Sequence, residues 1–207
     1  VVLLSVMAFA VIAYFVLSSI GEPTGRGTVE VRDNTSSSSG ETAPTVSVRE
    51  FTVGPRGDYP TLARGLQAIR QSFTLQSADE PRILRVAGGQ TYNERIEIDN
   101  SGGGYPQHVT IVSEGDAPAV LAPSGDAAVV MLKQVDWLTL EGFRIDAAGK
   151  AVAVELHGRL PGTRLSNLQI DGFSATGILC VGVVGSSDGE VEIQGCEFRS
   201  ASESADA

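Results

Sequence analysis

The chain carries only two cysteines, two histidines and one tryptophan in 207 residues. Cys180 and Cys196 are too few to staple a disulfide scaffold, and they lack metal-ligand spacing. Two readings of the pair stand, free thiols buried in a core or one disulfide in an exported domain. His108 and His157 lie far apart without Cys or carboxylate partners at ligand spacing, so neither a metal site nor a cofactor is expected. Basic charge is in deficit too, with 15 Lys and Arg against 25 Asp and Glu and a net charge of −10. That balance argues against a nucleic-acid binder.

Charge is wholly absent from Val1 to Ile20, VVLLSVMAFAVIAYFVLSSI. About 20 apolar helical residues cross a bilayer core of about 30 Å, so residues 1–20 are expected to form a transmembrane helix partnered by lipid. A signal peptide is the competing reading, but its apolar region usually runs about 7–15 residues behind a basic stretch. Here the run is longer, and no small-x-small cleavage site follows. The chain starts inside this span without Met, and a piece of a longer protein is therefore expected. Residues 21–49 are rich in Ser, Thr, Gly and Pro and read as a flexible tether.

Glycine, by contrast, is plentiful at 24 residues, much of it between short apolar runs, which favours turns and short strands over a helical bundle. Three segments align without gaps: Leu138 to Ile145, Thr163 to Ile170 and Val191 to Phe198. Their offsets, 25 and 28 residues, are the size of one solenoid turn. In each, two three-residue strands alternate apolar and polar around a two-residue corner. The second corner position is Gly142, Asn167 or Gly195, the residue types that enter the left-handed backbone region at least cost. Stacking then sets Leu140 over Leu165 over Ile193, and Ile145 over Ile170 over Phe198. Val152–Leu156 and Ile178–Val181 supply further strands, and Val109–Val112 with Val129–Leu132 an earlier coil. The expectation for residues 50–207 is an all-β, right-handed parallel β-helix. Leu62, Leu66, Ile69 and Phe73 share one helical face behind Thr61, a good N-cap, so a helix over 61–73 is expected to cap the open end.

The string from Phe51 to Leu62, FTVGPRGDYPTL, followed by Ile83 to Ile98, ILRVAGGQTYNERIEI, resembles the opening of the pectin lyase-like superfamily, pectinesterases in particular. The resemblance covers about residues 51–121 and implies the β-helix fold. The family's catalytic aspartates, arginine and oxyanion-stabilising glutamines have no counterparts in these motifs, so no catalytic residue carries over. The order of span, Ser-rich tether and β-helix is also similar to the extracytoplasmic half of planctomycete-type membrane serine/threonine kinases. Such a kinase would lie upstream; the chain itself holds no Gly-rich nucleotide loop, His-Arg-Asp or Asp-Phe-Gly string.

Candidate binding residues are Asp146 and Asp171, one coil apart, and Glu155 on the next strand. The stacked aspartates could hold a cation or do acid/base work, although an Asp directly after a strand more often hydrogen-bonds its own turn. Gly185-Ser186-Ser187-Asp188-Gly189 matches a nucleophile elbow, but Val191-Glu192-Ile193 behind it reads as a strand where the elbow needs a helix. The sequence thus points to a membrane-anchored, extracytoplasmic module that binds or senses carbohydrate or another cell-envelope ligand. An N-terminal piece of a polysaccharide esterase or lyase, and a structural surface protein, are the alternatives.

Overall fold

A computed structural model describes residues 48–74, 77, 79–184 and 189–201. The expected span, most of the tether and the serine of the Gly-x-Ser-x-Gly string lie outside the described residues. Among the described residues no helix is long and apolar enough to cross a membrane.

The fold is an all-β parallel solenoid of about four turns with one short helix. Strand β1 (Arg49–Val53) leads into helix α1 (Leu62–Gln71). The coils that follow are β2 (Arg82–Ala87), β3 (Thr91–Tyr92) and β4 (Ile96–Asp99), then β5 (Val109–Glu114), β6 (Val120–Leu121) and β7 (Val130–Lys133). The next are β8 (Leu138–Glu141), β9 (Arg144–Asp146) and β10 (Val152–Arg159), then β11 (Arg164–Ser166), β12 (Gln169–Phe173) and β13 (Thr176–Val184). Strands β14 (Glu192–Gln194) and β15 (Glu197–Ser200) begin another. Three parallel sheets run along the stack. Sheet A is β1-β2-β5-β8-β11-β14, sheet B is β3-β6-β9-β12-β15, and sheet C is β4-β7-β10-β13.

The repeat read from the sequence sets the register. Leu140 pairs with Leu165 and Leu165 with Ile193, while Ile145 pairs with Ile170 and Ile170 with Phe198. The corners bend as their residue types demand, with φ of 76° at Gly142, 54° at Asn167 and 63° at Gly195. Inward rows such as Leu84, Ile111, Leu140 and Leu165 are fully buried. Each such side chain stabilises the stack by about 1.5–3 kcal/mol relative to exposure. Burial ends at the last coil, where Ile193 and Phe198 are 45% and 46% exposed, because no described strand lies over them. For the same reason the cysteines, unbonded as in the first of the two readings, are not buried as that reading expects. Both are free, Cys180 is exposed, and Cys196 is half-buried.

Thr61 caps α1 as expected, its side chain accepting from the Arg64 N–H at 3.3 Å. Leu62, Leu66 and Ile69 are buried, and Gly65 lies so close to Val53 and Leu84 that an added Cβ would overlap both. The helix stops at Gln71, two residues short of the expected end, so Phe73 lies outside it. The solenoid begins one residue before its expected boundary, with Arg49 already paired to Arg82.

Candidate functional site

The three sequence-derived binding residues do not converge. Asp146 and Asp171 are register partners on sheet B, as the one-coil offset requires, but Glu155 lies on sheet C. Asp146 Oδ1 accepts from the Ala148 N–H at 3.0 Å, which is the turn-forming role. Asp171 Oδ2 instead accepts from Arg144 Nε at 2.9 Å across the rung. Glu155 Oε2 lies 3.0 Å from His157 Nε2.

The outward face of sheet C is more charged than its last two strands suggest. Glu97, Met131, Glu155 and Leu179 share one register row, and Asp99, Lys133, His157 and Val181 the next. Asp99 accepts from the Ser101 hydroxyl, from the Ser101 N–H at 2.8 Å and from Lys133 Nζ at 2.9 Å. The hydrogen bonds from Ser101, seconded by Lys133, hold its carboxyl well below the usual carboxylate range. A depressed folded pKa places this contribution to stability fully above the unfolded value, about 3.9, and removes it as pH falls through the folded one. A carbon-detected NMR titration should therefore find the Asp99 midpoint below that of a peptide aspartate, and Ser101→Ala should raise it. A midpoint at the peptide value would contradict the geometry.

A cavity of about 560 Å³ lies over β1, β2 and β5 and includes Thr52, Arg56, Arg85, Gln90 and Glu114. Its central cation is committed. Arg85 donates to both Glu50 carboxylate oxygens, at 3.0 and 3.3 Å, and to Glu114 at 3.2 Å. This three-rung ion network ties the first strands together and leaves no free charge on Arg85 for a ligand.

A different groove, about 520 Å³, runs beside the leading edge of sheet A. Its floor is the outward row Thr110, Thr139, Arg164 and Glu192, one residue from each successive strand. Rows repeat about every 4.8 Å along a sheet, so polar side chains recur at that spacing along the groove. Arg164 is neutralised by Glu192, with Nε and one terminal nitrogen at 2.9 and 2.7 Å. One wall is aromatic. Trp137 stacks on His108 with ring centroids 5.6 Å apart and planes 24° from parallel. Its other side lies against Gly162, where an added Cβ would sit 2.2 Å from the indole. Trp137 is nevertheless 38% exposed.

The backbone here is unusual for such large side chains. His108 and Trp137, just ahead of β5 and β8, have φ of 54° and 55°, and Gly162 takes 62° at the matching place in the next coil. A non-glycine residue in this region costs about 1–2 kcal/mol, and such strain tends to gather at functional sites. From the sequence, His108 is weighed only as a metal ligand, and Trp137 is not singled out. The signal that could have found them is that His108 and Trp137 each sit one residue before aligned strand starts.

No protein-family model matches the chain, and no curated protein does. Among solved structures, similarity was found to the pectin methylesterase from Aspergillus niger, in a penultimately deglycosylated form (TM-score 0.34) and a deglycosylated form (TM-score 0.30). Both are 16% identical over 78% of this chain and 69% of that chain. Likeness of this extent carries no activity to the present chain, and neither finding supports the expected kinase parentage.

Proposed function

We propose that the solenoid is a saccharide-binding module whose groove lies between the Trp137–His108 stack and the Thr110–Thr139–Arg164–Glu192 row. The observation that carries this reading is an exposed tryptophan held in a costly backbone conformation at the wall of a polar groove. A sugar is amphipathic in the same sense, with C–H faces for an aromatic wall and hydroxyl edges for hydrogen-bonding side chains. Internal neutralisation of Arg164, with Glu190 nearby in the lining, favours a neutral polyhydroxyl ligand over an anion. The repeat along the stack suits a linear polymer. The membrane-tethered, extracytoplasmic setting and a sensing role belong to the same proposal and rest on Val1–Ile20 and the tether. The kinase parentage is not carried forward.

Trp137 is the sole tryptophan, so its emission reports directly on the groove. Titrating the full chain with soluble neutral oligosaccharides should give a saturable change in emission. Trp137→Ala, followed by calorimetry, should weaken binding by about 30-fold, the loss of a ~2 kcal/mol anchor. Thr139→Val, which keeps side-chain shape on an outward position, should weaken it less. Absence of both heat and emission change across cell-wall and peptidoglycan-derived oligosaccharides would overturn the reading.

A further inference from the structure

A separate groove of about 340 Å³ opens between α1 and β4, lined by Leu66, Gln67, Arg70, Arg95, Asp99 and Tyr105 among others. Its charges are mostly spoken for. Arg95 pairs with Glu97, and Asp99 is held by Lys133 and Ser101. Two groups are not. Arg70 has no ion-pair partner among the described residues, and the buried Tyr105 hydroxyl has no hydrogen-bond partner among them. Buried polar groups are nearly always satisfied, so each exception calls for a reason. Tyr105 is held in place by its backbone N–H, which donates to Asn100 Oδ1 at 3.0 Å. Burial also pushes its phenol pKa up, with Arg70 partly opposing, so the hydroxyl keeps its proton and remains a donor at neutral pH.

One uncommitted guanidinium and one uncommitted hydroxyl donor in a small groove complement a single anionic oxygen pair. A doubly charged anion is the poorer match, because the Glu97 and Asp99 carboxylates share the lining. The volume lies at the lower end of ligand pockets and admits a molecule of about six carbons. We propose that this groove is a carboxylate-binding subsite, in which Arg70 and the Tyr105 hydroxyl receive the acid group of a small polar organic acid. It uses none of the residues of the Trp137 groove, and its fate is independent of that reading.

The test is calorimetric titration of the full chain with D-gluconate, with glucose as the uncharged counterpart and inorganic phosphate as the more highly charged one. Gluconate should bind, glucose should not, and phosphate should bind at least several-fold more weakly. Tyr105→Phe should weaken gluconate binding about 10-fold while leaving the melting temperature equal or higher, since an unpartnered hydroxyl stabilises nothing in the free protein. Arg70→Gln, on an exposed position of α1, should weaken it by a similar factor and leave folding intact. Unchanged affinity in Tyr105→Phe, equal binding of glucose or phosphate, or no binding of gluconate at tens of millimolar would each overturn the proposal.

Discussion

Arg82→Ala is expected to destabilise the solenoid by about 3–5 kcal/mol. Arg82 opens β2 at an inward position, the register partner of Val109, and is fully buried. Its guanidinium is taken up by neutral oxygens of the 72–80 connection. Nε donates to Ser72 Oγ at 2.9 Å, and one terminal nitrogen donates to the Glu80 carbonyl at 2.6 Å. The other donates to the Ser77 carbonyl and hydroxyl at 2.8 and 3.1 Å and to the Ser72 carbonyl at 3.3 Å. Truncation leaves these acceptors unsatisfied, at roughly 1–3 kcal/mol for each that water does not reach, and opens a void between the connection and the first coil. For a chain of this size the melting temperature should fall by about 10 °C. Arg82→Met restores the volume without the donors and should recover less than half of the loss. Arg82→Lys keeps a charge but not the planar fork, and should fall between the two. A melting temperature for Arg82→Ala within about 2 °C of the parent, followed by circular dichroism, would refute this account.

Gly162→Ala should cost about 2–4 kcal/mol and abolish the emission response to oligosaccharide together. The new Cβ would lie 2.2 Å from Trp137 Cε3 and 2.6 Å from Cζ3. The indole cannot retreat without breaking its stack on His108. Overpacking of this kind costs about 1–3 kcal/mol, to which the left-handed φ of 62° adds about 1 kcal/mol. Gly125→Ala separates the two effects. Its φ is 85°, but an added Cβ meets nothing within 4 Å, so it should pay only for the backbone. Equal losses of stability in the two variants, or an unaltered Trp137 emission spectrum in Gly162→Ala, would show that the close approach to Gly162 does not position the indole.

Much of the scaffold was legible in the sequence because its information is local and repeated. An inward Leu140 predicts an inward Leu165 once the corner at Gly142 is matched to the corner at Asn167. At Asn167 the side chain even adds a rung, its amide donating to Glu141 Oε1 at 3.3 Å. The same logic located β10 and β13 and the N-cap of α1. It failed on charged residues that the interior accepts. Arg82 and Lys150 would ordinarily be assigned to solvent, yet both are buried, with Lys150 Nζ donating to the Pro123 carbonyl at 2.8 Å. Most of their partners are backbone oxygens, which leave no mark on residue type.

The candidate sites were less legible still. Asp146, Asp171 and Glu155 were chosen by residue type and spacing, and spacing alone does not say which sheet a strand joins or which neighbour claims a carboxylate. Trp137 and His108 become one feature only when two coils 29 residues apart stack, and Arg70 meets Tyr105 only when α1 folds back beside β4. The sequence by itself determined the period, the corners and the inward rows of this protein, because strand alternation and left-handed bends depend on each residue and its near neighbours. Which outward side chains stand together, and which of them are left without partners, was decided by the tertiary structure alone, because those encounters depend on the lengths of the loops between coils and on how each sheet twists along the stack.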